Sequence, residues 1–186
     1  AEELSEQLPV NKPDQFGRID KQITAVDGSV FKVLAQIAEL AWLPASGGKK
    51  ACGYRLHAQF EVFRKSAVRI GVTSSNPKGE ADERVVLEKS VESGRCYLMD
   101  RGYEKYALFN SIHAAGSDYV CRIRDDRTWT VVADRPLTQA DRAARVISDQ
   151  EVTFGSPNSR TRPPNHRCRV VIIEAKPHNS GRRSAA

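Results

Sequence analysis

The sequence predicts an α/β fold built on one mixed sheet, in which an antiparallel hairpin is joined to parallel strands. Residues 54–63 and 68–72 alternate apolar and polar side chains, as an antiparallel hairpin does when one of its faces meets water. In this hairpin we expect Phe60 to face the core and His57 and Gln59 to face solvent. Residues 95–126 contain an apolar run, a helical stretch and a second apolar run, which is the pattern of a parallel β-α-β unit.

The first strand of the predicted sheet covers Gln22 to Asp27. Residues 1–20 before it are polar and carry two prolines, so we interpret them as a linker or as the tail of a missing N-terminal region. Ser29 is a suitable N-cap for a helix over Val30–Trp42, where apolar residues recur three and four positions apart. This helix is expected to be buried.

The second half of the predicted sheet begins after a helix over Glu80–Val91. The run Cys96–Met99 is apolar without alternation, which suits a strand that is buried on both faces. A helix is predicted over Tyr103–Ala115, and Gly116 can adopt the left-handed conformation that ends it. A further strand follows over Tyr119–Ile123.

The last third of the chain is predicted to be a small β-rich insertion over residues 127–178, followed by a disordered tail over residues 179–186. The formal net charge is +6, and the whole excess lies after residue 120. There, twelve of the thirteen basic residues are arginine. Because the planar guanidinium group suits phosphate, this composition indicates a surface that faces DNA.

Two aspartates follow predicted strands. Asp27 ends the first strand, and Asp100 comes directly after Cys96–Met99. Aspartate is a common turn and N-cap residue, so either carboxylate alone could be purely structural. If the two strands are neighbours, however, both carboxylates face one cleft, where their hard oxygens can bind a divalent cation such as Mg²⁺.

The segments AVDGSVF and MDRGYEKYALF, which contain these aspartates, resemble the core of bacterial insertion-sequence transposases of the DDE type. Within that type the resemblance is to the group marked by a Tyr, Arg, Glu, Lys signature. It implies a ribonuclease-H-like catalytic core over residues 21–126, with Asp27 and Asp100 as catalytic metal ligands and Mg²⁺ or Mn²⁺ as cofactor. It also implies a β-rich insertion between the fifth strand and the last catalytic helix.

The function implied by the resemblance is DNA transposition, by metal-dependent cleavage and strand transfer at transposon ends. Double-stranded DNA is the implied partner, a homodimer is a possible working form, and the bacterial cytoplasm, at the nucleoid, is the implied location. No apolar run approaches the length of a membrane span, and no signal sequence is recognisable. We therefore expect a protein that is not exported.

The family also requires a glutamate on a later helix, and no residue of this chain clearly supplies it. Tyr119, Arg122 and Asp126 match the first positions of the family signature, but Ala133 stands where lysine is required, so we treat the match as a coincidence. Glu174 is the remaining candidate, although it follows a strand-like run. We expect that the chain stops before the catalytic glutamate and that this fragment alone is inactive.

Three arginines are candidate DNA contacts. Arg122 and Arg124 extend from the fifth predicted strand beside the cleft, and Arg101 belongs to the family segment. Two alternatives to a transposase core remain open. The chain could be an inactive remnant that acts at most as a basic DNA-binding module, or it could be another ribonuclease-H-like nuclease.

Overall fold

The computed structural model describes residues 6–33, 52–74, 79–155 and 162–175. The chain divides into two compact units, residues 1–127 and residues 128–186. We call them the N-terminal unit and the C-terminal unit and describe each by itself.

The N-terminal unit is built on a five-stranded mixed sheet. Its strands are β1 (Gln22–Val33), β2 (Cys52–Glu61), β3 (Ser66–Ser74), β4 (Arg95–Met99) and β5 (Asp118–Cys121). They lie in the order β3-β2-β1-β4-β5. The pairs β1–β2 and β2–β3 are antiparallel, whereas β1–β4 and β4–β5 are parallel. The predicted fold class, a ribonuclease-H-like mixed sheet, is therefore confirmed.

Two helices of this unit follow the hairpin, α1 (Glu83–Glu88) and α2 (Tyr106–Ala114). The helix predicted from residue 103 begins later because Arg101–Tyr103 forms a separate 3-10 turn, which the Asp100 side chain caps. Gly116 has a φ of +73°, as predicted for the end of the helix. No helix in the described part of the chain is long and apolar enough to span a membrane.

The prediction of a helix from Val30 is wrong for residues 30–33, and residues 34–42 lie outside the described residues. Strand β1 continues through Val33, because Val30 pairs with Arg55 and Val33 pairs with Cys52 on β2. The β-branched valines fit an extended ladder, and pairing with β2 outweighs the local helical spacing.

The core of the N-terminal unit lies between α2 and the parallel strands. The side chains of Tyr97, Leu108, Phe109 and Ile112 are almost fully buried. Phe109 stacks on Tyr119 of β5, with ring centroids 4.4 Å apart and planes 13° apart. Helix α2 is therefore fixed to the sheet by an aromatic contact.

The hairpin does not present its polar side chains to water, so that prediction is wrong. His57, Gln59 and Glu61 are 7%, 6% and 2% exposed, whereas Phe60 is 40% exposed. Each of these three side chains has at least one polar partner, although Nδ1 of His57 has no hydrogen-bond partner among the described residues. The pairs are His57 Nε2 with Thr73 Oγ1 (2.8 Å), Gln59 Nε2 with Ser90 Oγ (2.6 Å) and Arg64 with Glu61 (3.1 Å).

The C-terminal unit contains a second, three-stranded sheet. Its strands are β6 (Trp129–Asp134), β7 (Val146–Phe154) and β8 (Cys168–Ile173), all antiparallel, with β7 in the centre. The small β-rich region is thus confirmed. Helix α3 (Gln139–Ala143) was not predicted, despite the capping box formed by Thr138 and Asp141.

Candidate metal centre at the strand ends

Both aspartates follow residues of the parallel β1–β4 register. Ala25 pairs with Leu98, and continuing this register by two residues aligns Asp27 with Asp100. Backbones of neighbouring strands lie about 5 Å apart, and residues in register point to the same face. The structure therefore places Asp27 within β1, which does not end there as predicted, and Asp100 directly after β4. Each aspartate lies two residues beyond the last pair of the parallel register.

Both carboxylates are exposed and oriented by the residues that follow them. Asp27 Oδ1 accepts a hydrogen bond from the backbone N–H of Gly28 at 2.8 Å, and Asp100 Oδ1 accepts one from the N–H of Gly102 at 2.8 Å. These contacts fix the carboxylate groups while solvent still reaches them. Paired carboxylate oxygens are the donors that Mg²⁺ and Mn²⁺ prefer.

The negative charges of Asp27 and Asp100 act on the buried hydroxyl of Tyr103. Tyr103 is 1% exposed, and its hydroxyl has no hydrogen-bond partner in the described part of the chain. Burial, and then the negative charges of Asp27 and Asp100, raise the pKa of Tyr103 well above its ordinary value. Both negative charges therefore act on this buried hydroxyl.

No third candidate metal ligand joins Asp27 and Asp100 among the residues that the structure describes. Within the described ranges, no three His, Cys, Asp or Glu side chains are grouped so that they could hold a metal ion. Glu174, the candidate third acid, directly follows β8 in the C-terminal unit, where it is exposed and lies 3.7 Å from the guanidinium of Arg145.

An ion pair next to Gly28, the residue after Asp27, was not predicted from the sequence. Glu83 of α1 pairs with Arg55 of β2, and this pair lies against the backbone of Gly28. A Cβ atom at Gly28 would stand 2.6 Å from Cδ of Glu83. A glycine within a strand, directly after the aspartate, was the available signal, since such glycines mark close approach of another group.

We expect Gly28→Ala to destabilise the N-terminal unit by about 1–2 kcal/mol, because the new methyl group displaces Glu83 from Arg55. Urea unfolding followed by circular dichroism measures the loss. The same change in a Glu83→Ala background is expected to cost much less, because the clashing carboxylate is gone. Equal costs in the two backgrounds would contradict the contact.

The three arginines predicted to contact DNA lie next to Asp100 in the chain or directly after β5. The N–H of Arg122 donates to the carbonyl of Met99 at 3.3 Å, which continues the β4–β5 register and aligns Arg122 with Asp100. Arg122 is exposed and forms no ion pair with the described residues. Arg101 lies 3.6 Å from Asp125, and Arg124 lies 4.0 Å from Glu104.

Comparison with known protein families identifies the chain. The family model for the transposase DDE domain matches residues 18–170, which include Asp27, Asp100 and most of both units. The chain belongs to the DDE transposase family. The predicted assignment to DDE-type transposases is thus confirmed, whereas bacterial origin and the Tyr, Arg, Glu, Lys group stay predictions.

Other comparisons add the following findings. No curated protein sequence matches this DDE transposase domain significantly. Among solved structures it is similar to the piggyBac transposase synaptic complex with hairpin DNA, with a TM-score of 0.40 and 9% identity. That match covers 76% of this chain and 32% of the piggyBac chain. This chain therefore spans about a third of the length of that transposase.

Proposed function

We propose that this chain supplies the first two metal-ligating carboxylates, Asp27 and Asp100, of a transposase site that cleaves and joins DNA. The observation that supports the proposal is the parallel β1–β4 register in a DDE transposase domain, because two exposed aspartates each lie two residues beyond its last pair, Ala25 with Leu98. Mg²⁺, or Mn²⁺ in its place, is the proposed cofactor.

Residues of this chain would hold the cations at the site and bind the phosphates of the DNA. Bound divalent cations would activate the attacking oxygen and stabilise the leaving oxygen of the phosphodiester. Asp27 and Asp100 would hold the cations, since their oxygens are exposed and already oriented by backbone N–H groups. Arg122, Arg124 and Arg101 would bind phosphates of the DNA backbone.

Glu174 remains the proposed candidate for the third acid, although its ion pair with Arg145 competes with metal binding. Without this third ligand, the chain by itself is expected to bind metal and DNA but not to carry out transposition. We retain residues 21–126 as the proposed catalytic core and residues 127–178 as the proposed insertion.

Double-stranded DNA, both transposon ends and target, is the proposed partner, and a homodimer is the proposed working form. We propose a cytoplasmic location at the nucleoid, which is where the DNA substrate of a bacterial protein lies. These proposals rest on membership of the DDE transposase family.

Binding of Mn²⁺, measured by electron paramagnetic resonance of the free ion, tests the proposed site. The double variant Asp27→Asn, Asp100→Asn is expected to bind Mn²⁺ at least about tenfold more weakly than the unmodified chain, because both charged ligands are lost. The control is Asp14→Asn with Asp118→Asn, which removes the same charge from two exposed aspartates elsewhere in the unit. Equal affinities for the two double variants would contradict the assignment.

A second candidate, a non-catalytic basic DNA-binding module, is suggested by the charge excess after residue 120. Several arginines of the C-terminal unit are nevertheless paired within it. The pairs are Arg135 and Arg169 with Asp149, Arg145 with Glu174, and Arg167 with Glu151. Salt-dependent DNA binding without any Mn²⁺ binding would favour this module over the transposase core.

A further inference from the structure

Glu104 is a buried carboxylate that the proposed catalysis does not use. It follows the 3-10 turn after Asp100, and its side chain is 1% exposed. Its Oε2 atom accepts a hydrogen bond from the backbone N–H of Arg124 at 2.8 Å, and its Oε1 atom accepts one from Nε of Arg127. Both partners belong to residues 122–127, which follow β5 and which we call the basic segment.

Further contacts join the basic segment to the residues around Asp100. Arg101 lies 3.6 Å from Asp125, and the Arg122 N–H donates to the Met99 carbonyl. Just before the segment, the Cys121 thiol donates to the carbonyl of Asp100 at 3.3 Å. Burial first, and then the charges of Glu104 and Asp100, raise the pKa of Cys121 to about 12, so this donor stays protonated.

The arginines of the basic segment differ in solvent exposure, and this difference separates the one that neutralises Glu104 from those that can contact a phosphate. The Glu104 hydrogen bond raises the pKa of Arg127, and the Arg127 guanidinium also lies 5.8 Å from the centre of the Tyr106 ring. Arg127 therefore neutralises the buried carboxylate. Arg124 Nε lies 4.0 Å from Glu104, but the Arg124 side chain is 54% exposed and Arg122 is exposed, so a phosphate can reach both guanidinium groups.

We propose that Glu104 is a positioning residue, which holds the basic segment beside Asp100 so that Arg122 and Arg124 meet the phosphates of the DNA strand bound at the two aspartates. The inference rests on the proposed function. A buried carboxylate would thus strengthen binding to an anionic partner, because it positions the arginines that contact the phosphates.

Fluorescence anisotropy of a labelled DNA duplex over a series of salt concentrations tests the role of Glu104. Glu104→Gln removes one negative charge, so Coulomb attraction alone predicts equal or tighter DNA binding. A positioning role predicts the opposite. We expect binding about three- to tenfold weaker, and a slope of log Kd against log salt that is smaller by about one, because one phosphate contact is lost.

Glu92→Gln is the matched control. Glu92 also pairs with two arginines of the N-terminal unit, Arg69 at 2.8 Å and Arg95 at 2.6 Å, but it makes none of the contacts that hold the basic segment. Its replacement changes the charge identically and is expected to leave DNA binding unchanged or slightly tighter. Equal or tighter binding by Glu104→Gln would overturn the positioning role.

Two further variants distinguish a failure of the Glu104 inference from a failure of the proposed DNA contacts. Glu104→Asp retains the charge but shortens the side chain, and it is expected to weaken binding even if Glu104→Gln does not fold. Arg122→Ala with Arg124→Ala removes the proposed phosphate contacts themselves. Weaker binding in this arginine variant, with no effect of Glu104→Asp, would overturn the inference and leave the proposed function intact. No effect of the arginine variant would overturn the proposed DNA contacts and the inference with them.

Discussion

Replacing Phe109 by alanine is expected to lower the free energy of unfolding of the N-terminal unit by about 3–5 kcal/mol. The ring is 1% exposed, stacks on Tyr119 and lies 6.2 Å from the Tyr106 ring. Its removal leaves a cavity between α2 and β5 and deletes an aromatic pair. Urea unfolding followed by circular dichroism measures the loss.

Phe60→Ala is the matched control for this prediction. The chemical change is identical, but the Phe60 ring on β2 is 40% exposed, so the expected loss is about 1 kcal/mol. Similar losses in the two variants would contradict the orientation of the hairpin, in which His57 and Gln59 face inwards. The pair of variants therefore tests the burial pattern as well as the core.

Asp149→Asn is expected to cost the C-terminal unit about 2 kcal/mol. The Asp149 carboxylate is 10% exposed and accepts two hydrogen bonds from Arg169, at 2.7 and 2.6 Å, while Arg135 lies 3.7 Å away. The amide keeps one acceptor but loses the charge and leaves the bidentate contact incomplete. Hydrogen exchange of the β7 amides in the whole chain measures the loss in this unit alone.

The same variant gives a test against pH. The hydrogen bonds from Arg169 hold the pKa of Asp149 below its ordinary value of 3.8, so the ionised form stabilises the folded unit. This stabilisation is fully present above the ordinary pKa and is lost as the pH falls through the lower, folded value. The difference between the unmodified chain and Asp149→Asn should therefore be constant near neutral pH and shrink below about pH 4.

Glu151→Gln is the control for the ion pair of Asp149. Glu151 also lies on β7, but its pair with Arg167, at 3.1 Å, is more exposed to solvent. We expect a cost of about 0–0.5 kcal/mol, as for surface pairs in general. If this change cost as much as Asp149→Asn, burial of the Asp149 contact would not be the reason for its effect.

The sequence by itself determined the features that depend on near neighbours in the chain. The apolar run before Asp100, the helical spacing after Tyr103 and the left-handed Gly116 predict one β-α-β unit, because short strands and helix ends are encoded over a few residues. Alternation likewise predicts the β2–β3 hairpin. The two aspartates were identified because each one ends a predicted strand.

Tertiary structure alone decided which pairings extend the strands and which faces are buried. Val30 to Val33 joined β1 because β2 offered backbone partners, which a local helical pattern cannot reveal. His57 and Gln59 lie inside, where Nε2 of His57 bonds Thr73 and the amide of Gln59 bonds Ser90, residues distant in sequence. Glu104 is likewise buried: its partners on the basic segment are brought beside it only when β5 pairs with β4. An alternating or amphipathic pattern shows that two faces differ, whereas only contacts between distant segments determine which face the core takes.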